Sequence, residues 1–400
     1  MEHRSFTAPT RILMGPGPSD VPERVLQAMA RPTIGHLDPA FVELMEEIKD
    51  LLRYVFRTSN ALTMPVSGPG TTGMESCVVN LVEPGDKVVV CLNGAFGGRL
   101  KSMAERCGGT VVGVEDPWGR AVDPAKLEAT LAAHPDAKVV AFVHAETSTG
   151  ALSDAKTLAE IARRHDCVTI VDAVTSLGGS PLEVDEWGLD AVYSGTQKCL
   201  SCAPGLAPIT LSERALDKVR ARKTPVQSWF MDLTLVMSYW SGEGKRSYHH
   251  TAPINALYGL HEALLAVREE GIENAWARHR ANHVALRAGL DVLGLGTIVP
   301  EAERIPQLNL VTVPDGIDEA RVRRRLLEEH RLEVGAGLGN LAGKVWRIGL
   351  MGHSCRWQNI EHALEALAAV LTAEGHAADG RAAIDAAREA LAVPAGGATP

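Results

Sequence analysis

Short apolar runs alternate with helical stretches from residue 60 to residue 211. The apolar runs are rich in β-branched residues and end in glycine or polar residues, which is typical of buried strands. One intervening stretch has an apolar stripe at helical spacing, which starts at Ala155, and Ser153 is its predicted N-cap. This alternation predicts an α/β fold with a mostly parallel sheet covered by helices. The predicted strands are residues 87–92, 110–114, 138–143, 167–173 and 189–193.

The N-terminal region follows a different pattern. Residues 1–20 contain three prolines with two glycines between them, and we expect them to form no regular element. Ser19 is a predicted cap for a helix over residues 22–29, and helical spacing of apolar residues continues over residues 39–56.

The C-terminal region predicts a second, smaller unit. Helical periodicity covers residues 254–270 and 272–294, and the longer of these helices is expected to link two domains. A strand at 306–313, a charged helix at 317–330 and a strand at 344–350 predict an α+β arrangement. We therefore predict an N-terminal arm (1–20), a large domain (21–275), a small C-terminal domain (276–372), and an Ala-rich C-terminal region (373–400) with a helix over 381–391 and a loose end at 394–400.

Composition narrows the class of protein. The 400 residues are 46% hydrophobic and 22% charged, as in an ordinary globular enzyme, and their number favours two domains. The net charge of −9 is spread along the chain without basic clusters, so we expect neither nucleic acid nor a membrane as a partner. Seven cysteines without disulfide-like spacing favour a reducing compartment, and residues 1–6 lack the apolar core of a signal peptide. We expect a cytoplasmic protein.

A lysine and an aspartate are associated with two of the predicted strands. Asp172 lies near the end of the run 167–173, and Lys198 follows the run 189–193. Ligands of open α/β sheets bind outside the carboxyl ends of the strands, so Lys198 can reach a bound carbonyl and form a Schiff base. Pyridoxal phosphate chemistry needs such a lysine and an acidic partner for the pyridine nitrogen. The alternatives are an exposed surface lysine and an aspartate that caps the following turn.

A glycine-rich stretch at residues 67–73 precedes a helical segment. Free backbone N–H groups at the start of a helix suit a phosphate. The same stretch spells Gly68-x-Gly70-x-x-Gly73, so a nicotinamide-dependent oxidoreductase is the alternative from another reaction class. Two observations weaken it: Pro65 favours an edge strand or a loop before the glycines, and no acidic residue ends the next strand, where the dinucleotide pattern needs one.

Two further side chains have a chemical interpretation. Phe96 follows the strand 87–92 and either stacks on a flat heterocycle or belongs to the core. Arg347 lies among apolar neighbours, and its immediate flanks supply no acid. A buried guanidinium needs an anionic partner and matches a carboxylate with two parallel hydrogen bonds. The alternative for Arg347 is a salt bridge to an acid elsewhere.

We expect no metal site. Cys199 and Cys202 have a C-x-x-C spacing, but no second cysteine pair or nearby histidine completes a zinc set. His249 and His250 are adjacent, and adjacent side chains point in different directions in regular structure, so they cannot easily share one metal.

Four motifs resemble those of class V aminotransferases, and most nearly those of the alanine/serine:glyoxylate aminotransferases. The similarity extends from Met14 to Leu350, with the motifs in the same order. The four are Ser-Gly-Thr-Gln-Lys198, Val-Asp172-Ala-Val-Thr-Ser-Leu-Gly-Gly, His144-Ala-Glu-Thr-Ser-Thr-Gly150 and Tyr248-His-His-Thr-Ala-Pro253.

The resemblance implies a fold type I enzyme with pyridoxal 5'-phosphate as its cofactor. It implies that Lys198 is catalytic and carries the coenzyme, with Asp172 on the ring nitrogen, Phe96 stacked on the ring and Thr147 on the phenolic oxygen. The remaining cofactor-binding residues that it implies within the chain, including the phosphate turn, are Pro69, Gly70, Thr71 and Gln197.

The resemblance also implies contacts between subunits and with the substrate. Tyr248 and Thr251 are expected to reach the coenzyme phosphate of a neighbouring subunit, which implies a homodimer with shared active sites. Arg347 is the expected anchor for the substrate's α-carboxylate, and Gly35 is expected to leave room beside the substrate pocket.

The expected reaction moves an amino group from alanine or serine to glyoxylate or a similar small 2-oxo acid. A pyridoxamine–pyruvate-type transaminase of the same family is the alternative, because it differs in pocket residues that the sequence does not place. A cysteine desulfurase needs a cysteine ahead of the carboxylate-binding arginine, whereas Cys355 follows Arg347. The sequence does not rank alanine against serine, since a single hydroxyl is weakly discriminated without a polar group built to receive it.

Overall fold

A computed structural model describes residues 3–240 and 246–392 of the chain. The predicted loose end at 394–400 lies outside these residues. The strands are β1 (Ile12–Leu13), β2 (Leu62–Ser67), β3 (Lys87–Leu92), β4 (Thr110–Glu115), β5 (Ala137–Val143), β6 (Ala145–Glu146), β7 (Ala151–Leu152), β8 (Val168–Asp172), β9 (Ala191–Tyr193), β10 (Leu206–Leu211), β11 (Leu308–Thr312), β12 (Leu332–Glu333), β13 (Gly335–Ala336) and β14 (Val345–Gly349).

The α-helices surround these strands. They are α1 (Glu23–Met29), α2 (Pro39–Phe56), α3 (Gly70–Leu81), α4 (Ala95–Arg106), α5 (Pro124–Ala133), α6 (Ala155–Arg164), α7 (Val184–Trp187), α8 (Glu213–Arg220), α9 (Leu233–Trp240), α10 (Ile254–Glu270), α11 (Ile272–Val292), α12 (Glu319–His330), α13 (Trp357–Ala373) and α14 (Gly380–Ala392). Short 3-10 helices are present at Glu301–Glu303, Gly339–Leu341 and Gly352–Ser354.

The central sheet has seven strands in the order β2-β10-β9-β8-β5-β3-β4. Strands β9, β8, β5, β3 and β4 pair in parallel, and β10 is antiparallel to both of its neighbours. Every residue of β8 and β10 is buried, as expected for strands covered on both faces. The prediction of a mostly parallel sheet is confirmed. Strand β2 lies at the edge of the sheet, which suits Pro65 because proline cannot donate to a ladder.

The parallel strands end together at the carboxyl edge of this sheet. The backbone N–H of His144, just after β5, donates to the carbonyl of Asp172 at the end of β8, at 3.0 Å. The N–H of Ala173 donates to Tyr193 at the end of β9, at 2.9 Å. These two bonds hold the segments after β5, β8 and β9 next to each other. Side chains from all three segments therefore line one pocket.

A smaller antiparallel sheet, in the order β11-β14-β13, has its own hydrophobic core. Trp346 is fully buried in this core, and its indole N–H donates to the carbonyl of Glu319 at 3.2 Å. Helix α11 enters both cores, with Ile272 in the large one and Leu286 and Leu290 in the small one. This helix therefore connects the two cores, while the boundary at residues 275 and 276 stays a prediction.

Three predicted local features are wrong. Residues 1–20 are not wholly irregular, because β1 pairs in parallel with β12 of the same chain. Ser19 does not cap α1, which begins after Pro22 without a side-chain cap; its hydroxyl donates to the carbonyl of Lys198 at 2.8 Å instead. Ser153 does not cap α6, since its hydroxyl accepts the N–H of Val122 at 3.1 Å.

The cap of α6 is Asp154. Its carboxylate accepts the backbone N–H of Thr157 at 3.0 Å and the hydroxyl of the same residue at 2.6 Å. The side chain therefore satisfies a donor of the first helical turn, and its negative charge lies at the positive end of the helix dipole. The predicted cap was therefore one residue too early, because the hydroxyl of Ser153 is used by Val122.

We expect Asp154→Ala to lower the free energy of unfolding by about 1 kcal/mol, because it removes this cap. Urea denaturation followed by circular dichroism measures the change. Asp315→Ala is the matched control, since it removes the same charge from an exposed loop residue with no hydrogen bond to other described residues. An equal effect of the two substitutions would contradict the capping role.

Candidate active site

A pocket at the carboxyl edge of the central sheet contains most of the residues expected from the sequence. Its walls come from the N-terminus of α3, the start of α4, and the segments that follow β5, β8 and β9. It is lined by Pro69, Gly70, Thr71, Met74, Phe96, Arg99, Val143, Ala145, Thr147, Asp172, Val174, Thr175, Gln197 and Lys198.

Lys198 is not an exposed surface lysine. Its ammonium group donates to the carbonyl of Pro16, so the N-terminal segment covers it. Burial and, after it, the positive charge of Arg347 lower the pKa of Lys198 to about 8. More of the amine is therefore neutral near neutral pH than in an ordinary lysine, and the neutral form is the one that acts as a nucleophile or a proton acceptor.

Asp172 is 3% exposed and lies on the same pocket. One carboxylate oxygen accepts the N–H of Val174 at 2.9 Å, which is the turn contact considered from the sequence. The other accepts the hydroxyl of Tyr193 at 2.8 Å. Burial raises the pKa of Asp172 to about 6, so a cationic ring placed beside it would be stabilised and would lower that pKa again.

The N-terminus of α3 forms the wall opposite. The backbone N–H groups of Gly70 and Thr71 have no acceptor among the described residues, and no side chain caps the helix. A Cβ atom at Gly70 would lie 3.2 Å from Val174 and 3.5 Å from the carbonyl of Ser194, so little space for a side chain exists there. Free N–H groups at the positive end of a twelve-residue helix suit an anion such as a phosphate.

Arg99, on the pocket lining, and Glu146, which contacts the segments that carry Phe96 and Thr147, were not assigned a role from the sequence. Arg99 donates to the hydroxyl of Thr71 at 3.1 Å, and its guanidinium lies 5.0 Å from the centre of the Phe96 ring. It therefore brings a positive charge to the end of the pocket that is formed by the N-terminus of α3. Its signal in the sequence is weak, because an exposed arginine in a helix is ordinary.

Glu146 is the second such residue, and it is fully buried. Its carboxylate accepts the N–H groups of Phe96 and Gly97 at 3.0 and 3.3 Å, at the start of α4. It also accepts the N–H and the hydroxyl of Ser148 at 3.0 and 2.6 Å. Burial raises the pKa of Glu146, while these hydrogen bonds act against that shift. Glu146 thus joins the loop of Phe96 to the loop of Thr147.

Arg347 lies in β14 and is 7% exposed. It donates to the carbonyl of Ala336 at 2.7 Å and to the carbonyl of Thr147 at 3.4 Å. Among the described residues it forms no ion pair within 4.0 Å, so the salt bridge considered as an alternative is not found there. Burial lowers the pKa of Arg347 to about 10, and the charge of Glu146 opposes this shift.

Four expected site residues are not on the lining of this pocket: Arg347, described above, and Tyr248, Thr251 and Gly35. Tyr248 is 64% exposed, and its hydroxyl lies 3.4 Å from that of Thr251, which is also exposed. Gly35 is exposed, and a Cβ atom there would meet nothing within 4 Å. Their predicted roles in a shared site stay predictions.

Comparison with known proteins agrees with this arrangement. The family described as "Aminotransferase class-V" matches residues 12–356. The chain belongs to the class V aminotransferases. The (S)-ureidoglycine–glyoxylate transaminase of Bacillus subtilis is 39% identical over 386 residues, 92% of each chain. The alanine–glyoxylate aminotransferase of Drosophila melanogaster is 39% identical over 367 residues, which are 91% of this chain and 93% of the relative.

Solved structures give the same result. The alanine–glyoxylate aminotransferase of Nostoc sp. is 47% identical with a TM-score of 0.91, covering 93% of this chain and 98% of that one. The pyridoxamine–pyruvate aminotransferase of Mesorhizobium loti is 29% identical with a TM-score of 0.90, covering 98% and 99%. This class V aminotransferase therefore has fold type I and uses pyridoxal phosphate, which the carboxylate, the lysine and the open helix N-terminus of the pocket fit. The nicotinamide alternative has no support.

The cysteines of this aminotransferase are unpaired and buried. Burial raises the pKa of Cys199, Cys202 and Cys355 to about 12, so these thiols are poor nucleophiles. Within residues 3–240 and 246–392, no group of three or more histidine, cysteine, aspartate or glutamate residues could hold a metal ion. No helix of these residues is long and apolar enough to cross a membrane.

The pKa of Lys198 yields a prediction for the coenzyme-free enzyme. Because the neutral amine is the reactive form and the pKa is about 8, labelling of Lys198 by acetic anhydride should rise through that pH and level off above it. Arg347→Met should move this transition to higher pH, since it removes a positive charge that disfavours the ammonium form. Mass spectrometry of the labelled peptide measures both.

Arg24→Met is the control for that shift, because it removes an exposed guanidinium paired with Glu262 and Glu269. Its labelling profile should match that of the unmodified protein. A transition near pH 10 in every variant would mean that Lys198 is solvated like a model lysine.

Proposed function

We propose that the protein transfers an amino group from L-alanine or L-serine to glyoxylate, using pyridoxal phosphate. The observation that carries this proposal is a buried Arg347 that lacks a carboxylate partner among the described residues and whose charge acts on Lys198. A buried guanidinium is stabilised by an anion that forms two hydrogen bonds with it, and the α-carboxylate of an amino acid is such a group. An amino acid held there would present its α-carbon toward Lys198.

Each proposed role rests on a contact described above. Lys198 holds the coenzyme and, once released, its amine removes the proton from the α-carbon of the amino acid. The coenzyme, when bound, supplies the electron sink for this step, and the carboxylate of Asp172 keeps its ring nitrogen protonated. Arg347 orients the amino acid, and the low pKa of Lys198 leaves its amine ready to accept the proton.

The remaining residues of the pocket are proposed to bind the coenzyme. Gly70 and Thr71 offer the free N–H groups at the start of α3 to the phosphate, together with Pro69 and Gln197 on the lining. Phe96 stacks on the ring, and Thr147 bonds its phenolic oxygen. Both of these residues are fixed by Glu146, whose carboxylate accepts the backbone N–H of Phe96 and whose chain neighbour is Thr147.

We further propose a homodimer in which Tyr248 and Thr251 reach the coenzyme phosphate of the partner subunit. The exposure of large apolar side chains at Trp229 (62%), Tyr248 (64%) and Leu37 (56%) supports an interface in this region. His249 stacks on Trp229 with ring centres 4.5 Å apart, which keeps that exposed ring in place. Gly35 lies close in sequence to Leu37, so we place it at this interface, beside the substrate pocket of the partner subunit. The unpaired cysteines support the predicted cytoplasmic location.

A second candidate donor is (S)-ureidoglycine. The ureidoglycine–glyoxylate aminotransferase structure from Bacillus subtilis is 40% identical with a TM-score of 0.94, covering 97% of this chain and 99% of that one. Its name and those of the alanine–glyoxylate relatives share glyoxylate, which supports glyoxylate as acceptor and leaves the donor to experiment. The pyridoxamine–pyruvate relative supports one further comparison, with pyridoxamine and pyruvate.

Visible absorption of the purified holoenzyme tests the proposed reaction. We expect the coenzyme band to fade with L-alanine or L-serine and to return with glyoxylate, and (S)-ureidoglycine and pyridoxamine are tested in parallel. Lys198→Ala should reduce turnover by at least about a thousandfold, since it removes the general base. Lys101→Ala, at a half-buried lysine of α4 that is not on the pocket lining, is the control. Near-normal turnover by Lys198→Ala, or a band that no donor changes, would overturn the assignment.

The shared site gives a separate prediction. Thr251→Ala should weaken coenzyme binding about tenfold, because one hydrogen bond to a charged phosphate is lost, without lowering the fraction of dimer. Equilibrium dialysis gives the coenzyme affinity and sedimentation velocity gives the oligomeric state. Thr130→Ala, a half-buried threonine of α5 that is not on the pocket lining, is the matched control. A monomer that binds coenzyme with unchanged affinity in both variants would disprove the shared site.

A further inference from the structure

A second cleft lies away from the active-site pocket and shares no lining residue with it. It is bounded by α11, by the segment Gly179–Pro181 that follows β8, and by residues 301–306 that precede β11. Its volume of about 970 Å³ is sufficient for a small metabolite. Elements of both hydrophobic cores thus form its walls.

Arg287, on α11, is the most buried charged residue of this cleft, at 6% exposure. One terminal nitrogen of its guanidinium donates to Asp291 and, at 3.0 Å, to the carbonyl of Leu295. The Nε atom and the other terminal nitrogen have no acceptor among the described residues. Leaving donors of a buried cation unpaired is costly, so this guanidinium is suited to a second anionic partner.

Further donors surround Arg287. Arg304 uses its Nε atom for the carbonyl of Val299 at 3.0 Å, and neither it nor Arg280 forms an ion pair among the described residues. The indole N–H of Trp276 is buried without an acceptor there. The acids that line the cleft are Asp291 and Glu301, and only Asp291 contacts a guanidinium.

The pKa of His283 is affected by the charges of the three arginine residues. Burial and the charges of Arg287, Arg304 and Arg280 lower its pKa to about 4, against the opposing effect of a hydrogen bond with Asn309. His283 is therefore neutral at physiological pH, and it adds no charge to the three arginines. The positive charge of this group of arginines is not balanced by the carboxylates in contact with it.

We propose that this cleft binds a small oxyanion, carrying a carboxylate or phosphate group, between Arg287 and Arg304. The Nε atom and the free terminal nitrogen of Arg287 act as separate donors, and Arg304 adds the terminal nitrogens that its bond to Val299 does not use, so the oxygens of one anionic group can bond to both guanidinium groups. Arg287 belongs to α11 and Arg304 to the segment before β11, so the bound anion holds these two regions of the chain together.

Calorimetric titration of the holoenzyme tests this site, with inorganic phosphate and malonate as separate probes. Coenzyme in the active site keeps its phosphate-binding wall occupied, and the visible band shows whether a probe enters that pocket. We expect one saturable site per chain for at least one probe, weakened about tenfold or more in Arg304→Gln and Arg287→Gln. The probe that binds more tightly identifies the anionic group.

Two variants separate this cleft from other sites. Arg347→Met should leave the binding intact, and so should Arg120→Gln, a neighbouring surface arginine paired with Glu303. Arg304→Gln keeps the test decisive if loss of Arg287 impairs folding, which circular dichroism detects. Unchanged binding in Arg304→Gln, loss of binding in Arg347→Met, or no binding of either probe at millimolar concentration would overturn the proposal.

Discussion

The common direction of β3, β5, β8 and β9 is the constraint on which the active site depends. Parallel strands end at one edge of a sheet, and each of these four delivers a loop there. The side chains of the pocket are far apart in sequence, yet none needs a long loop to meet the others. Backbone bonds such as that from His144 to Asp172 then fix the loops relative to each other, so the chemistry is placed by the sheet.

The charges inside the site are coupled. The charge of Arg347 lowers the pKa of Lys198, Glu146 raises the pKa of Arg347, and the same glutamate raises that of Asp172. A carboxylate that neutralises Arg347 would therefore change the proton affinity of Lys198 without touching it. In the proposed reaction, binding of the amino acid and the readiness of the lysine to accept a proton are linked through this arginine.

The sequence predicted what depends on local pattern. Strand β3 and helix α2 have the predicted bounds, because a continuous apolar pattern covers the whole of each element. Lys198, Asp172 and Gly70 could be selected as candidate site residues because they lie close to a strand end or a helix start. Contacts between distant segments were not predictable. Arg99 and Glu146 have ordinary sequence neighbours, and only folding brings them to Thr71 and Phe96. The predicted caps at Ser19 and Ser153 are wrong because the hydroxyl groups of both residues form hydrogen bonds with backbone groups that are distant in sequence.

The N-terminal segment that covers Lys198 also constrains the order in which the parts of a nascent chain can fold. Ile12 pairs with Leu332, the carbonyl of Met14 accepts the N–H of Gly349 at 2.7 Å, and the carbonyl of Pro16 accepts the ammonium group of Lys198. During synthesis, residues 12–16 therefore leave the ribosome long before the residues that they contact have been synthesised. Loop closure over more than three hundred residues is slow compared with local pairing. The large sheet can assemble while translation continues, but the covering of its lysine has to wait for the last strands.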